Sequence, residues 1–389
     1  MRKLLIITLI ALLAGSFVMA SDTRVTTMGG VNNIVKDDAN IWLYPSTINQ
    51  YPGLFSTEIM TGNQWMAGAN LGFNEDNPWV LGAYFSKLEY SHSIFDAYGS
   101  GTNADNRLNL IYGRNFNDMP FGFSLSYFKT GSKVENDVII GNNERALTKF
   151  GLGFGLSPME GKLDLLLEFT TTSWTDKAYN LTEDAVLDMT KPSGNTEISF
   201  LFRYWMDPMG KCMLVPHGGL HLDKQGLELY SDGVLTNTYT NKETRFELGL
   251  GMNYEAKEDV LVVTDFGFMI ESTSYKNEPE GASAIESKMN TKTIPFFKIG
   301  IDAKVFKWMD FRAGVSNDWE GYTSEPSDVM KNSSSTASTM TYLGAGFHWG
   351  DFEIDASVNP SFLNNGPDFI TGTSTPGWAN MVSVLYWFD

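Results

Sequence analysis

From residue 54 onward, the chain alternates apolar residues with polar residues or glycine, in runs of about ten. In residues 243–254 the even positions carry Thr, Phe, Leu, Leu, Met and Tyr, and the odd positions carry Glu, Arg, Glu, Gly, Gly and Asn. Residues 146–156 and 352–358 alternate in the same way. A period of two is that of a β-strand, whose successive side chains point to opposite faces. The pattern therefore predicts strands with one apolar face and one polar face.

Turn signals sort the connections between these runs by length. Short turns fall at 74–78, 117–120, 158–161, 207–211, 256–259, 307–309 and around Gly350. Long polar loops alternate with them at 91–104, 132–143, 174–193, 224–240, 273–289, 321–337 and 359–378. An outer-membrane barrel has short periplasmic turns and longer external loops, whereas a soluble two-sheet sandwich has no reason to sort its loops by end. We therefore expect a membrane barrel.

The predicted fold is all-β, a transmembrane, antiparallel, up-and-down β-barrel of about sixteen strands with an amino-terminal plug. The weakest strand pair is joined across Gly62 and Asn63, and losing it would leave fourteen strands. The predicted strands are 54–61, 64–73, 79–90, 105–116, 120–131, 144–157, 162–173, 194–206, 211–223, 241–255, 260–272, 290–305, 309–319, 337–349, 351–358 and 379–388.

The alternation also predicts which face of each strand meets lipid. We expect Thr244, Phe246, Leu248 and Leu250 to face lipid and the odd positions of 243–247 to face the lumen, because only this register satisfies the bilayer. Arginine at position 248 should therefore be costly, whereas arginine at position 249 should be tolerated if the lumen has room.

The amino terminus has the signals of export. A basic start, an apolar run at 4–14 and a small-residue cleavage pattern ending at Ala20 indicate a secretory leader. An even number of strands returns the carboxyl end to the side where the exported amino end began. We therefore expect a bacterial outer-membrane protein with both termini in the periplasm. The predicted segments are a signal peptide at 1–20, a hatch or plug at 21–53 and the barrel at 54–389.

Composition excludes several other classes of protein. The chain of 389 residues has 28 Lys and Arg against 46 Asp and Glu, and its net charge of −18 opposes binding to nucleic acid. Apart from the leader, no stretch approaches the roughly 20 apolar residues of a spanning helix. The single cysteine, Cys212, excludes an internal disulfide. Backbone pairing and packing must therefore stabilise the fold.

Aromatic residues concentrate near predicted strand ends. The carboxyl terminus, 384–389, resembles the assembly signal of bacterial outer-membrane barrels, which usually ends in Phe, although Asp389 follows here. We assign this signal to Tyr386 and Phe388, and the resemblance implies the barrel assembly machinery and outer-membrane lipid as partners. The residues that fit girdles at the two membrane interfaces are Tyr204, Trp205, Trp308, Trp319, Trp349, Tyr386 and Trp387.

Residues 21–53 do not alternate and carry other signals. They contain an arginine, a Met-Gly-Gly, two acids before an alanine, and a proline, at Arg24, Met28, Gly29, Gly30, Asp37, Asp38, Ala39 and Pro45. This order resembles the amino-terminal hatch of the long-chain fatty-acid transporter family of outer-membrane barrels, and of related barrels of type nine secretion. Tyr44 and Ser46 stand where the family has Asn and Ala, and the following Gly-Leu is absent. The resemblance implies a hatch and a hydrophobic solute.

The same residues have a physical interpretation. Gly29 and Gly30 permit backbone conformations that other residues avoid, and Pro45 ends helices and ladders, which suits a compact plug inside a lumen. Asp37 and Asp38 would lose their hydration there, so we expect Asp37 or Asp38 to be anchored to a lumen arginine. The candidate arginines are Arg107, Arg145, Arg203, Arg245 and Arg312. The alternative is a segment that trails in the periplasm.

Charged residues of both signs fall on the predicted lumen face. This mixture predicts an ion-pair lattice that stiffens and hydrates the interior, rather than a selectivity ring of one sign. The acids are Asp164, Glu168, Glu197, Glu243, Glu247, Asp265, Asp302 and Asp355. The bases are Arg107, Arg145, Lys149, Arg203, Arg245, Lys298, Lys304 and Arg312.

Candidate enzyme and metal chemistry is weak. His217 and His221 would chelate a metal on a helix, but on a strand they lie about 13 Å apart, so two separate lumen-facing histidines are expected. The sequence has no nucleophile elbow, metal-binding cysteine pair or phosphate loop. We therefore predict neither an enzyme nor a cofactor or metal site.

Two functions remain open. The first is passive or ligand-gated uptake of small molecules across the outer membrane, with a hydrophobic solute if the hatch resemblance holds. The second is a non-transporting scaffold or adaptor that holds secreted or surface proteins. The two functions predict the same strands and differ in whether a path leads past residues 21–53.

Overall fold

The computed structural model describes residues 22–60, 64–74, 78–87, 106–117, 119–134, 143–180, 185–326, 332–358 and 379–388. The predicted leader and the predicted loops at 91–104 and 359–378 lie outside these residues.

Seventeen strands in the described part of the chain form one antiparallel sheet. They are β1 (Leu54–Met60), β2 (Gln64–Phe73), β3 (Trp79–Lys87), β4 (Asn106–Phe116), β5 (Met119–Val134), β6 (Asn143–Leu156), β7 (Leu163–Asn180), β8 (Ala185–Pro192), β9 (Asn195–Tyr204), β10 (Cys212–Ser231), β11 (Val234–Lys257), β12 (Val260–Pro279), β13 (Ile285–Phe306), β14 (Met309–Pro326), β15 (Asn332–Trp349), β16 (Phe352–Val358) and β17 (Ala379–Trp387).

The sheet closes into a barrel of sixteen strand positions. Strands β8 and β9 share one position, because both pair with β7 on one side and with β10 on the other. The remaining strands follow one another around the barrel, and β1 pairs antiparallel with β17 from Leu54↔Trp387 to Met60↔Met381. The predicted sixteen-strand barrel is therefore confirmed. The fourteen-strand alternative is wrong, since β1 and β2 are both present.

The predicted orientation of β11 is also confirmed. The Asn253 side-chain amide donates a hydrogen bond of 2.6 Å to the backbone oxygen of Ile34, a residue inside the barrel, so the odd positions face inward. Phe246 and Leu250 point the other way and are 38% and 47% exposed. The apolar face is the outer face, which is the arrangement that a lipid environment stabilises.

Several predicted loops are in fact strand. Strand β10 continues to Ser231 and β11 begins at Val234, so most of the predicted loop at 224–240 is a hairpin. Its turn is Asp232-Gly233, whose φ angles of 49° and 76° are those that Asp-Gly hairpin turns require. The loops predicted at 273–289 and 321–337 are likewise largely paired. Polar residues remain in strands here because neighbouring strands satisfy their backbone groups.

Helical structure is confined to short pieces in the described residues. Before the barrel come α1 (Asp22–Thr27), α2 (Asn40–Leu43) and a 3₁₀ helix (Pro45–Gln50), and a single turn, α3 (Pro158–Gly161), joins β6 to β7. No helix in this part of the chain has the length and apolar character of a membrane span.

Candidate functional site

Residues 22–53, the amino-terminal segment, lie inside the barrel at the end with the short turns. Lys298 of β13 donates to the backbone oxygen of Gly30 at 3.1 Å. On a distant part of the wall, the Asn49 side chain donates to the backbone oxygen of Phe121 in β5 at 3.1 Å. The segment therefore reaches across the lumen between strands that are not neighbours.

Two apolar clusters pack the segment against the wall. Each buried aliphatic side chain of this kind contributes about 1.5–3 kcal/mol. The first cluster joins Val25, Met28, Val31, Ile34, Val35 and Ala39 of the segment to Trp205, Val215 and Val263 of the wall. The second joins Ile41 and Ile48 of the segment to Met66, Val80, Tyr84 and Ile111.

Charged contacts fix the first turn of the segment to one side of the wall. The Arg24 guanidinium donates to Asp37 at 2.9 Å and to Asp302 of β13 at 3.1 and 3.0 Å. Burial lowers the pKa of Arg24, but the Asp37 and Asp302 carboxylates outweigh it and raise the pKa above its ordinary range, so the guanidinium stays charged.

Asp302 also belongs to a second buried arginine. Arg312 of β14 is 1% exposed and donates to Asp302 at 3.3 Å, to Glu353 at 3.4 Å and to the buried Asp355. We call Arg24, Asp37, Asp302, Arg312 and Asp355 the Arg24 network. In this network, the segment is joined to the wall by a segment arginine, Arg24, that donates to a lumen acid, Asp302. We expected the reverse, a segment acid on a lumen arginine.

Another buried arginine, Arg203 of β9, holds the middle of the segment. It pairs with Asp164 at 2.7 Å and donates to the backbone oxygen of Asn32 at 3.3 Å. Its guanidinium lies 4.4 Å from the Tyr44 ring centroid and 4.8 Å from that of Trp205. Cations over aromatic faces are stabilised, more so when desolvated.

Two of the predicted girdle residues face inward instead. Trp205 is 3% exposed and donates through its indole nitrogen to Asp164 at 3.0 Å. Trp387 lies with its ring centroid 6.2 Å from that of Tyr51 in the segment. The reason is the strand period, since Trp205 shares its face with Arg203 two residues earlier. Trp349, at 87% exposed, does lie on the surface.

The residues that carry the family resemblance are mostly buried within the segment. Met28, Asp37, Asp38, Ala39 and Pro45 are buried. At Gly29 and Gly30, φ is 94° and 74°, a region that residues with side chains rarely adopt. Their role as a hatch stays a prediction.

The two departures from the family pattern make contacts of their own. Tyr44 receives the Arg203 guanidinium on its ring, and the Ser46 hydroxyl lies 2.8 Å from that of Ser157 in the wall. Sequence reasoning also missed Thr23, which donates to Glu58 of β1 at 2.6 Å. No signal in the sequence pairs these residues, because they are far apart along the chain and of common types.

Several other residues of the predicted lattice lie on the lumen face at different heights. Lys149 donates to Glu197 at 2.9 and 3.0 Å, and Arg107 donates to Asn109 at 3.0 Å. Glu243, Arg245 and Glu247 share the inward face of β11 with Asn253. The backbone of Arg145 belongs to β6, but its side chain lies outside the described residues.

The two histidines are separate lumen groups, as expected. His217 lies 2.9 Å from Asp265, and His221 lies 2.8 Å from Ser199. Among the described residues, no set of three or more His, Cys, Asp or Glu side chains is placed to hold a metal ion. The His217 ring also fills the space beside Gly249, where a Cβ would lie 2.4 Å from Nε2. The condition that we set for arginine at position 249, room in the lumen, is therefore not met.

The predicted assembly residues lie at the closure of the barrel. Tyr386 is paired with Phe55 of β1 and with Phe352 of β16. The Phe388 backbone N–H donates to the Gly53 oxygen at 2.7 Å, which ties the carboxyl end to the start of β1. Their part in assembly stays a prediction.

A cavity opens in the lumen wall directly against the segment. It lies between β9, β10 and β11 and is bordered by Asn33, Leu201, Gly218, Gly219, Leu220, His221, Arg245 and Glu247. Asn33 belongs to the segment, so an occupant of this cavity would touch both the segment and the wall.

No protein-family model and no curated protein matches the chain. Among solved structures, it is similar to a FadL homologue of Pseudomonas aeruginosa, with a TM-score of 0.45, 13% identity, and coverage of 96% of this chain and 100% of that one. It is also similar to the toluene transporter TbuX of Ralstonia pickettii, with a TM-score of 0.44, 10% identity, and coverage of 95% and 99%. A third is the toluene transporter TodX of Pseudomonas putida, with a TM-score of 0.38, 11% identity, and coverage of 94% and 96%. The solute of this chain depends on its own lumen.

Proposed function

We propose that the chain is an outer-membrane barrel that passes small molecules and that its amino-terminal segment is the plug that restricts flow. The outer face supports membrane residence, since large apolar side chains such as Phe200, Phe266 and Ile354 are 42%, 57% and 40% exposed there. In water such a surface would associate, whereas lipid stabilises it. The short turns and both termini would then lie in the periplasm.

One observation carries the plug proposal, namely how the segment is attached. Between residues 22–52 and the described strands, there is no backbone-to-backbone hydrogen bond; the first one joins Gly53 to Asn70 at 3.0 Å. Side-chain bonds and apolar packing hold the rest. Such a segment can leave the lumen while every strand of the wall keeps its backbone hydrogen bonds. A constriction made by one of the paired strands could not leave in this way.

The position of the cavity supports gating by the solute. A ligand that touches Asn33 and the wall has a different affinity for the docked and undocked segment, and only such a difference shifts the equilibrium between them. The hydrophobic solute that the hatch resemblance implies belongs to this proposal as an expectation.

Planar-bilayer recordings with and without residues 22–53 test the proposal. We expect the intact barrel to conduct little and the truncated barrel to conduct in large, stable steps, because the lumen at the short-turn end is then open. Both proteins must show the heat-modifiable mobility of a folded barrel. A folded truncated barrel that conducts no better than the intact one would refute the plug.

The adaptor function remains the second candidate, and the long hairpins favour it. Strands β10 to β14 have 18 to 24 residues, whereas a bilayer needs about 9–11. The surplus is a paired wall that would stand above the membrane and offer a rigid surface to a secreted protein. Absence of conduction in both the intact and the truncated barrel would favour the adaptor function over transport.

A further inference from the structure

The cavity against Asn33 has walls of unusual chemistry for a hydrocarbon site. Because odd positions of β9, β10 and β11 face inward, the wall side chains that point into the lumen here are Leu201, His221, Arg245 and Glu247. Three of these four carry a charge or a polar ring nitrogen. An occupant must therefore offer polar groups as well as an apolar one.

Arg245 supplies a positive charge that is open to a ligand. Its guanidinium is exposed to the lumen and makes no hydrogen bond or ion pair within 4.0 Å among the residues that the structure describes. Glu271 lies opposite it on β12 and attracts it at longer range. A hydrocarbon placed here would strip water from the guanidinium without replacing it, whereas a carboxylate would accept its N–H groups in a fork.

Acceptors lie on the other side of the same cavity. Glu247 sits two residues from Arg245 on the same face of β11, with Cα atoms about 7 Å apart. The side-chain oxygen of Asn33 is buried and has no hydrogen-bond partner in the described part of the chain. Buried acceptors of this kind are normally satisfied, so this oxygen is an acceptor that a ligand with an N–H donor would satisfy.

The apolar part of the cavity is a notch in the wall. Gly219 leaves this notch open, since a Cβ there would lie 2.5 Å from the Leu201 side chain. The Leu201 side chain and the glycine backbone make a small surface that suits a short aliphatic group.

We infer that this cavity binds a small zwitterion with an apolar side chain, the chemistry of a free amino acid such as leucine. Its carboxylate would bind Arg245, its ammonium would bind Glu247 and Asn33, and its side chain would contact Leu201. The apolar side chain agrees with the hydrophobic solute expected above. The inference adds that this solute also carries a carboxylate and an ammonium group. The inference rests on the proposed function, since it names the solute of that same lumen.

Uptake of radiolabelled L-leucine into proteoliposomes containing the full mature barrel tests the inference. We expect uptake that saturates with concentration and that unlabelled leucine inhibits. Two analogues should compete at least about tenfold less well, because each lacks one charged contact: 4-methylpentanoate has no ammonium and isopentylamine has no carboxylate.

Matched variants locate the effect. Arg245→Gln and Glu247→Gln should each lower leucine uptake at low concentration by about tenfold or more. Arg107→Gln and Glu243→Gln remove charges from the same lumen face outside the cavity and should leave it unchanged. Arabinose flux, as the uncharged reference, should be equal in all five proteins.

Other outcomes separate the two claims. Leucine flux that stays proportional to concentration, or analogues with one charge that compete as well as leucine, would overturn the zwitterion site while leaving the barrel a transporter. The competition experiment uses the unaltered protein, so a variant that fails to fold does not decide it. If no solute enters even after residues 22–53 are deleted, the proposed function itself fails.

Discussion

Replacing Arg24 with glutamine should undock the amino-terminal segment. The change removes the guanidinium that contacts Asp37 at 2.9 Å and Asp302 at 3.1 and 3.0 Å. Hydrogen bonds to charged groups contribute about 1.5–3 kcal/mol each, and breaking a buried pair costs about 3–5 kcal/mol. The Asp37 side chain is 1% exposed but that of Arg24 is 27% exposed, so solvent screening reduces the loss. We expect docking to weaken by about 2–4 kcal/mol.

A loss of this size has a large effect on the open population. At about 1.4 kcal/mol per factor of ten, the undocked fraction rises roughly 30- to 700-fold. Single-channel recording should show frequent large openings for R24Q, and limited proteolysis should cut the segment faster. The matched control is Lys36→Gln, which removes an exposed segment cation lying 5.1 Å from the Trp205 ring centroid and should change docking by no more than about 1 kcal/mol.

The Asp302→Asn background tests the pairing directly. If Arg24 acts through Asp302, the two substitutions together should cost less than the sum of the separate effects. R24Q openings no more frequent than those of K36Q, with the barrel folded, would show that apolar packing alone holds the segment and that the Arg24 network does not.

Three further predictions follow from the strand register, the wall glycines and the barrel closure. Leu248→Arg should lower the free energy of urea-induced unfolding in lipid by about 2–4 kcal/mol, whereas arginine at a solvated lumen position of β11 should not. Equal losses of stability would contradict the assignment of even positions of β11 to the outer face. Gly122→Val would place a Cβ 2.1 Å from the segment backbone and should raise conductance, whereas Gly151→Val, whose Cβ meets side chains only, should not. Deleting 388–389 should reduce heat-modifiable folded barrel in the outer membrane far more than deleting 333–334, and equal yields would count against the assembly signal.

Strand identity and orientation were predictable because they are local. In β11 the polarity of each side chain indicates which face it occupies. Asn253 faces inward and Leu250 faces outward, as the alternation predicts. The same logic was available for Trp205, which shares its parity with Arg203. The girdle prediction for Trp205 used its residue type and not the strand period, so it assigned this side chain to the wrong face.

Strand length was less predictable, because the polar hairpins lack an apolar face. At Asp232-Gly233 the turn signal was present in the sequence, and reading it would have extended β10 and β11 to the observed hairpin. Polar composition indicates contact with water, and it does not by itself indicate a loop.

The partner of Asp37 could not be chosen from the sequence. Physical reasoning required a cation, and one cation that pairs with Asp37 is Arg24, thirteen residues earlier in the same segment. Arg24 bridges Asp37 of the segment and Asp302 of the wall. No pattern of residue types along the chain indicates such a bridge.

The lumen-facing glycines show why the segment sits where it does. Near the short turns, several inward positions are glycines at which any Cβ would strike the segment within 3 Å: Gly113, Gly122, Gly155, Gly251, Gly300, Gly314 and Gly344. Above that level, the inward positions carry Lys149, Glu197 and Arg245 instead. Charged side chains would hold water at the wall, whereas glycine lets the segment backbone approach and bury its apolar side chains. The wall therefore sets the height of the segment by removing side chains, and the Arg24 network fixes it there.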